Sequence, residues 1–577
     1  MNQIKNFQKG IAQIAHAFLK YIEKNRIAIL LLALFTFLIH GSKLYSINLG
    51  IDTEKVLDDP EDIYSSWHSI GRYGLTTIKQ LLEQADFNPY FAAILTILLL
   101  IVAMVAFVFL FTHSTQTPLQ QASQDTPHET SCQSHQESIG LFLFGATVIA
   151  HPIMTEQLYF SLQGVEISLS FLLCAVSLLF AHEWCLKGGI LHFVCAVFFL
   201  PLIFSVYQSF VPLYIFGAIA LCCLYLPFSC STCQTDKSEE SIASVTVSAA
   251  VSVADSPINI SKKYFKYISM HIIVFACGLL INQLITNRFF GQSGYLTNQI
   301  YWDKNNLSEG FRKILSHIAY VCLGYGTFYS PTFFIIAVLL LILWAGAVLK
   351  GRSPIQACLN LFLLIALYLS PFYLTIFLGE HPVFRAQLVL PFTTGFMLYL
   401  ISTLIYRSLG ACTLPRSSVR SLSAKTYKFA FVAVSILCIW NEADITSRMY
   451  YTDALRFEQD LNLAESIARD ISKVTGDSDY TSTIVFVGQK PVTYNSSYVK
   501  GDVMGQSFFA WDTDVEPVNC WSSHRIVGFM NCMGSHFQAP TQEEATNATA
   551  LAATMTCYPR EGSIIVKENF VIVKLSE

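Results

Sequence analysis

Long apolar blocks recur along the whole length of this 577-residue chain. Three of the clearest are Ile27–Ile39, Tyr90–Phe111 and Thr332–Leu349. Each is close to the ~20 residues that a helix needs to cross a hydrocarbon core of about 30 Å. Charged residues make up only 13% of the chain, against about 25% in a soluble domain, and the blocks account for the deficit. The sequence therefore predicts an all-α polytopic membrane protein.

The apolar blocks predict eleven membrane spans. Several of them contain Pro or Gly, which a helix bundle tolerates where neighbouring helices satisfy the freed backbone groups. The first block follows a polar lead and has no small-residue cleavage site, so we expect a retained helix rather than a signal peptide. The predicted spans are 27–46, 89–111, 139–156, 160–181, 189–206, 208–228, 264–286, 331–349, 356–376, 385–406 and 427–443.

Basic residues near the ends of the spans predict the orientation of the chain, because inner loops carry an excess of Lys and Arg. With the N-terminus inside, the loop 47–88 is outside, and it is acidic. An odd number of spans then places the tail from residue 444 outside as well. The basic residues of the inner segments are Lys5, Lys9, Lys20, Lys24, Arg26, Lys262, Lys263, Lys350, Arg352, Arg407, Arg416, Arg420 and Lys425.

Three parts of the chain differ in character. Residues 1–26 repeat apolar residues between lysines, which predicts an amphipathic helix on the inner leaflet. Residues 27–443 are the membrane bundle, with the first outside loop at 47–88. Residues 444–577 are polar, and we expect them to form a small extracytoplasmic α/β domain.

The tail combines helical and β-like patterns. Apolar residues of Leu455–Ile471 predict a roughly amphipathic helix. The runs Thr483–Gly488 and Ser563–Leu575 read as strands, and the second is interrupted as in a hairpin. Three cysteines of the tail could supply one disulfide with one thiol left over: Cys520, Cys532 and Cys557.

The first outside loop carries the most informative charges. Asp52 and Glu54 follow the first span closely, and their i, i+2 spacing puts both on one side of an extended segment. A helix is predicted over Ile63–Leu82, with Arg72 beside the mouth of the bundle. A carboxylate near a low-dielectric cavity can take a proton from a hydroxyl nucleophile, and a guanidinium can hold a phosphate. The competing interpretation is an acidic, solvated loop.

Further polar side chains collect at the same outer face. Glu156 ends the third span, Glu166 lies two turns into the next, and Arg385 begins a late span. Their structural alternatives are a helix–helix hydrogen bond for Glu166 and snorkelling to the interface for Arg385. Their common face favours a site, whose remaining candidate residues are Tyr207, Gln208 and His381.

Other classes of site and function are less favoured. A net charge of -4 gives no footprint for nucleic acid, and the pair Cys230 and Cys233 has no second pair of zinc ligands. A channel is less favoured because the sequence has no filter motif. A glycan ligase or polymerase is less favoured because such an enzyme would need a larger outside loop than 287–330. A transporter or flippase for lipid-linked saccharides stays as the alternative function. A divalent cation such as Mg²⁺ or Mn²⁺ could find oxygen ligands at Asp58, Asp59, Glu61 and Asp62.

The chain resembles the Gtr type II glucosyltransferase family, the serotype-converting membrane enzymes of the GT-C class. The resemblance covers most of the chain in short, degenerate motifs. It begins at the acidic pair Asp52 and Glu54. It continues in SIGRYGL (69–75), HPIMTEQLYF (151–160), SVYQSF (205–210), HPVFRAQLVLPFTTGFMLYL (381–400), YTDALRFEQDLNLAESIARDI (451–471) and GQSFFAWD (505–512).

The resemblance implies a hexosyltransferase of the bacterial cytoplasmic membrane. Its donor would be a polyprenyl-phosphate-linked sugar, and its acceptor a glycan such as O-antigen, a cell-wall polymer or a lipid-linked saccharide on the outer side. The essential acid of the family maps to Asp52, the general base, with Glu54 beside it. Arg72 and Arg385 would hold the donor phosphate. The linker 112–138 departs from the family because it has no basic residue.

Overall fold

The computed structural model of this chain consists mainly of helices. It describes residues 2–45, 48–58, 60–84, 86–115, 127–229, 257–290, 300–302, 307–346, 353–410, 418–477, 480–567 and 569–577. The first helices are α1 (Asn2–Lys24), α2 (Arg26–His40), α3 (Thr53–Asp58), α4 (Pro60–Ser69), α5 (Tyr73–Leu81), α6 (Pro89–Thr115), α7 (Pro127–Ala150), α8 (Pro152–Tyr159), α9 (Gly164–Lys187), α10 (Ile190–Phe198), α11 (Leu200–Val206) and α12 (Phe210–Ser229).

The later helices include one that is much longer than the rest. They are α13 (Pro257–Ile285), α14 (Leu307–Leu323), α15 (Thr332–Trp344), α16 (Pro354–Leu369), α17 (Tyr373–Leu378), α18 (Val389–Gly410), α19 (Ser418–Thr475), α20 (Cys520–Cys532) and α21 (Gln542–Ala552). Single helical turns lie at Gly41–Leu44, Ser161–Gln163, Thr286–Phe290, Ser370–Phe372, Phe384–Ala386 and Phe508–Ala510. The strands are β1 (Thr483–Val487), β2 (Ile564–Val566) and β3 (Phe570–Lys574).

The helical membrane architecture is supported, with fewer full-length spans than the sequence predicts. In the described part of the chain, eight helices are long and apolar enough to cross a membrane, and the bent pair α7–α8 makes up to nine. The remaining two predicted spans, 189–206 and 331–349, coincide with α10–α11 and α15, which are apolar but shorter than 18 residues. All eleven predicted segments thus fall on apolar helices, while a count of eleven spans is not confirmed.

The third predicted span is broken in a way that the sequence explains. α7 ends at Ala150 and α8 begins at Pro152, with a bend of 57° between them. The helical conformation is unfavourable for a residue that directly precedes a proline. His151 is accordingly extended, and its Nδ1 accepts a hydrogen bond of 3.2 Å from the backbone N–H of Ile153. Because of this break, α8, which carries Glu156, runs in a different direction from α7.

Phenylalanine rings fill the centre of the bundle between α6, α7, α9 and α18. Phe107, Phe144, Phe171 and Phe392 are fully buried, with neighbouring ring centroids 5.1 to 6.3 Å apart. A Cβ at Gly395 would lie 2.9 Å from the carbonyl oxygen of Phe144, so α7 and α18 approach as closely as small residues allow. Association through close packing is typical of membrane bundles.

The outward faces of several helices stay apolar, as contact with lipid requires. Leu38 on α2, Leu280 on α13 and Phe362 on α16 are 71%, 62% and 64% exposed. The predicted helix over 1–26 is present as α1. It packs Phe18 against Phe109 and pairs Lys24 with Glu137 at 2.8 Å. Its position on the inner leaflet stays a prediction.

The helix α19 is 58 residues long, which corresponds to about 87 Å. It joins the last predicted span, 427–443, and the predicted helix Leu455–Ile471 into one uninterrupted element. The predicted domain boundary at residue 444 lies inside this helix and stays a prediction.

Residues 480–577, called here the C-terminal unit, contain the predicted strands. Their order is β1-β3-β2, with β1 parallel and β2 antiparallel to β3. Ala545 and Ala548 of α21 pack against Val485 and Ile572 of the sheet. The cysteines are not bridged: Cys520, Cys532 and Cys557 are free thiols with separate hydrogen-bond partners, so the disulfide considered from sequence is not formed.

A buried arginine ties α19 to the loop 47–88, the first one predicted to lie outside. The Nη2 of Arg456 donates to Asp453 Oδ1 at 2.7 Å, to the Leu49 carbonyl at 2.7 Å and to the Tyr159 hydroxyl at 2.8 Å. Its Nη1 lies 3.6 Å from Asp460 Oδ2. Arg456 is fully buried, and both carboxylates are nearly so. Removing the guanidinium would leave two buried anions without their counter-ion.

We expect Arg456→Met to lower the free energy of unfolding by roughly 3–5 kcal/mol, the usual cost of breaking a buried ion pair from one side. The measurement is denaturant or thermal unfolding in detergent. The matched control is Arg448→Met, because Arg448 lies on the same helix in an exposed pair with Asp444. Equal effects of the two substitutions would contradict the assignment.

Candidate active site

Four charged side chains meet where the C-terminal unit contacts the loop 47–88. Arg525 donates from Nη1 to Asp52 Oδ1 at 2.6 Å and to Glu54 Oε1 at 2.7 Å. Its Nε donates to Asp512 Oδ2 at 2.9 Å. We call Asp52, Glu54, Asp512 and Arg525 the acidic cluster. The two acids of the predicted pair therefore lie close together, and both contact a cation, Arg525, that the sequence analysis did not single out.

The backbone at the acidic pair is a turn rather than an extended segment. Asp52 has φ +72°, in the left-handed region that Asp tolerates better than most residues. The Thr53 N–H donates to the Gly50 carbonyl at 3.0 Å, and α3 begins at once, with Glu54 in its first turn. An acidic residue is favourable there because the helix N-terminus carries partial positive charge.

The two carboxylates differ in their access to solvent. The side chain of Asp52 is 34% exposed, whereas that of Glu54 is fully buried. Burial raises the pKa of Glu54 to about 7; the charge of Arg525 opposes this shift and that of Asp52 adds to it. Burial disfavours the charged Arg525, but Asp52 and Glu54 outweigh it and hold its pKa above the usual range. Asp52 is thus the member of the pair that a ligand can reach.

The helix predicted over 63–82 is two helices. α4 ends at Ser69 and α5 begins at Tyr73, because Gly71 adopts φ +74°, which glycine reaches without a steric penalty. Arg72 follows directly at the break. Its guanidinium lies 4.9 Å from the centroid of the Tyr207 ring, so two candidates chosen separately from sequence are in contact. Gln208, the next residue, is half-buried in the same turn.

Glu156 lies under the C-terminal unit. Its Oε1 accepts a hydrogen bond of 2.7 Å from the Val503 N–H, and its side chain is fully buried. Gly501 contacts the carboxylate so closely that a Cβ there would overlap Glu156. Arg385 and Asp502 lie within electrostatic range of it. Glu156 therefore holds the C-terminal unit to the bundle, a packing role that its position in the sequence did not reveal.

Arg385 lies beside the same contact. Its guanidinium is 5.4 Å from the centroid of the Phe160 ring. The neighbouring Phe384 N–H donates to Asp502 Oδ2 at 2.5 Å. Burial raises the pKa of Asp502, while the Phe384 hydrogen bond and the charge of Arg385 oppose the shift. Arg385 thus stands at the edge of the bundle that faces the C-terminal unit.

Two of the predicted site residues are engaged elsewhere. Glu166 forms a buried ion pair of 2.9 Å with Lys79, so its structural alternative, a polar contact between helices, describes it best. His381 Nε2 lies 3.1 Å from the Lys313 carbonyl, and its ring is 4.8 Å from that of His317. Burial lowers the pKa of His381. The polar contacts found for His381 in the described residues do not include the acidic pair.

A cleft in the bundle is lined by Asn48, four residues before Asp52. A Cβ at Gly50 would lie 2.6 Å from the Tyr159 ring, so Tyr159 forms both the floor of the turn and a wall of the cleft. Lys43 brings a positive charge, and its Nζ donates to the Leu158 carbonyl. The cleft is lined by Ser42, Lys43, Asn48, Pro89, Ala93, Tyr159, Ser161, Tyr450 and Asp453.

Metal-ligand geometry is not found in the part of the chain that is described. No group of three or more His, Cys, Asp or Glu there could hold a metal ion. Asp59, Cys230 and Cys233, which were considered from sequence, lie outside the described residues. At the acidic pair the cation is Arg525.

A family profile matches most of the bundle. The profile described as Glucosyl transferase GtrII matches residues 41–402, more than half of the chain. The chain belongs to this family. It is therefore a glycosyltransferase, and glucosyl transfer is the activity that the family implies. No curated protein and no solved structure matches the chain.

The GtrII match divides the candidate site. It includes Asp52, Glu54, Arg72, Glu156 and Arg385, and it ends before α19 and the C-terminal unit. The likeness of 451–471 and 505–512 to the family's later segments stays a prediction. Asp512 ends the second of these motifs.

Sequence reasoning missed the cations of this GtrII protein more than its anions. Arg525, Lys79 and Arg456 each neutralise a buried carboxylate. Lys79 carried a readable signal, since it is a lone charge on the apolar side of a helix next to the membrane. Arg525 carried a similar signal, since it is the one Asp, Glu, Lys or Arg between Glu516 and Glu543, but nothing in the sequence pointed to Asp52 and Glu54 as its partners.

The burial of Glu54 predicts how stability changes with pH. Its pKa rises from 4.5 to about 7 on folding, so its stabilising contribution is full below pH 4.5 and is lost as the pH rises through about 7. The shift corresponds to roughly 3 kcal/mol. Glu54→Gln cannot ionise, and we expect a smaller decline of the unfolding midpoint between about pH 5 and pH 8. Thermal unfolding in detergent measures it.

The matched control for this experiment is Glu543→Gln, at an exposed position of α21. It should retain the pH dependence of the wild type. Identical pH profiles for the two variants would show that Glu54 does not titrate in this range.

Proposed function

We propose that this GtrII protein transfers glucose from a polyprenyl-phosphate donor to a surface polysaccharide or lipid-linked glycan on the outer side of the cytoplasmic membrane, with Asp52 as general base. The supporting observation is the acidic cluster. Asp52 is its partly exposed carboxylate, held by Arg525, and the turn before it rests on Tyr159, which lines a cleft in the bundle. A general base must meet the acceptor hydroxyl directly, and Glu54 is too deeply buried to do so.

In the proposed reaction, the Asp52 carboxylate takes the proton of the acceptor hydroxyl. The acceptor oxygen forms a bond to the anomeric carbon, and the bond from that carbon to the phosphate oxygen breaks. The polyprenyl phosphate leaves with its additional negative charge. Attack from the face opposite the leaving group inverts the anomeric carbon.

A phosphate leaving group needs positive charge rather than a proton donor. We propose Arg72 and Arg385 for this role, as the family resemblance implies. Arg72 lies in the same loop as Asp52 and Glu54, and Arg385 lies within electrostatic range of Glu156 and Asp502. Lys43, which lines the cleft, adds a third cation. Apolar Pro89 and Ala93 line the same cleft, as suits a ligand that arrives from lipid.

The alternative function is a transporter or flippase for lipid-linked saccharides. Membership in a glucosyl transferase family favours the enzyme. The position of the charges agrees, since the acidic cluster lies in the contact between a loop and the C-terminal unit rather than at the middle of the bundle. Transporter sites are typically near mid-depth.

We expect Asp52→Asn to lower glucosyl transfer about 100-fold or more, because the amide cannot accept the acceptor's proton. The measurement is glucose incorporation into membrane-associated glycan from polyprenyl-phosphate glucose, with protein level followed in parallel. Glu83→Gln, an exposed acid in the same loop, is the matched control and should keep wild-type transfer. Undiminished transfer by Asp52→Asn would rule out the base assignment.

The proposed sidedness has its own test. An alkaline phosphatase reporter fused after Glu577 should be active, because that enzyme matures only outside the cytoplasm. A reporter fused after Tyr406, at the inner end of a predicted span, is the control and should be inactive. The reverse pattern would mean that the orientation is inverted, and activity at both positions would mean that the span count is wrong.

A further inference from the structure

Arg525 is unusual among the groups at the acidic cluster, because it comes from the C-terminal unit. It lies on α20, 473 residues after Asp52 and outside the range that the GtrII profile matches. Family membership therefore says nothing about it. Its side chain is only 12% exposed, although a free arginine on a polar segment would extend into water.

One nitrogen of Arg525 serves both acids. The same Nη1 reaches Asp52 at 2.6 Å and Glu54 at 2.7 Å. Two carboxylates this close to one atom repel each other, and without a cation one of them would hold a proton. The Nε contact with Asp512 at 2.9 Å orients the guanidinium plane, so the shared nitrogen is directed at the pair.

The face of α20 that carries Arg525 also contacts the segment that carries Glu54. Residues 525, 528 and 532 are spaced by one and two helical turns and lie on one side of the helix. At Gly528 a Cβ would come within 3.3 Å of Glu54 Cγ, so α20 rests directly against α3. Cys532 Sγ lies 3.6 Å from the Glu54 carbonyl oxygen. The helix is therefore seated on the acidic segment along its length, and Arg525 is not a chance contact.

We propose that Arg525 is a positioning residue for glucosyl transfer: the C-terminal unit uses it to hold Asp52 ionised and correctly oriented beside the neighbouring carboxylate of Glu54. This inference rests on the proposed role of Asp52 as general base. It makes the C-terminal unit part of the enzyme's active site rather than an accessory attached to the bundle.

The role has a specific consequence for pH dependence. Arg525→Gln removes the charge that stabilises the two neighbouring carboxylates, so the pair should release its protons at higher pH. We expect the rising limb of the transfer rate to move up by about one pH unit or more. At a given pH on that limb the rate should fall about tenfold, and it should recover at higher pH. Arg525→Lys keeps the positive charge but loses the planar guanidinium that donates several hydrogen bonds, so it should show a smaller shift.

The experiment compares Arg525→Gln, Arg525→Lys and the control Arg560→Gln in the full-length protein. Arg560 is an exposed arginine of the same unit. The measured quantities are kcat and the donor KM with polyprenyl-phosphate glucose across the pH range. A shifted profile in Arg525→Gln, smaller in Arg525→Lys and absent in Arg560→Gln, supports the proposal. A fall of equal size at every pH, with no rescue by lysine, would overturn it.

A second measurement does not depend on the donor. A double-mutant cycle of Asp52→Asn with Arg525→Gln, read by unfolding in detergent, should give a coupling that the pair Asp52→Asn and Arg560→Gln lacks. If the wild type transfers nothing from this donor but the coupling is present, only the proposed function fails. If the wild type transfers and Arg525→Gln has an unshifted profile, the inference about Arg525 fails.

Discussion

The architecture around the site depends on the pairing of charges that are shielded from water. Arg456 neutralises Asp453 and Asp460, Lys79 neutralises Glu166, and Arg525 neutralises Asp52 and Glu54. The pairs of Lys79 and Arg525 join elements that are far apart in the chain. Arg456 pairs with carboxylates of its own helix and reaches distant elements through the Leu49 carbonyl and the Tyr159 hydroxyl. Because an unpaired ion would be costly at any of these places, the partners must arrive together when the chain folds.

The parts that could be predicted from sequence are those that follow from local chemistry. Apolar length located the helices that are long and apolar enough to cross a membrane, and the proline at 152 accounts for the break between α7 and α8. Apolar length did not locate α14, which lies in the predicted loop 287–330. Short runs rich in β-branched residues located β1 and the hairpin of β2 and β3. These patterns predict structure reliably because they depend on short stretches of sequence, through the thickness of the membrane and the geometry of the backbone.

The parts that could not be predicted are contacts between distant segments. The spacing of Asp52 and Glu54 says nothing about an arginine more than 470 residues later. The partners of Glu156 and Glu166 could not be predicted either, because the Val503 N–H and Lys79 lie elsewhere in the chain.

The uninterrupted helix α19 also has a mechanical meaning. A rod of this kind resists bending because a bend must break backbone hydrogen bonds. Arg456 lies about two-thirds of the way along it and donates to the Leu49 carbonyl, three residues before Asp52. The loop that carries Asp52 is therefore held by the same rigid element that contains the last predicted span.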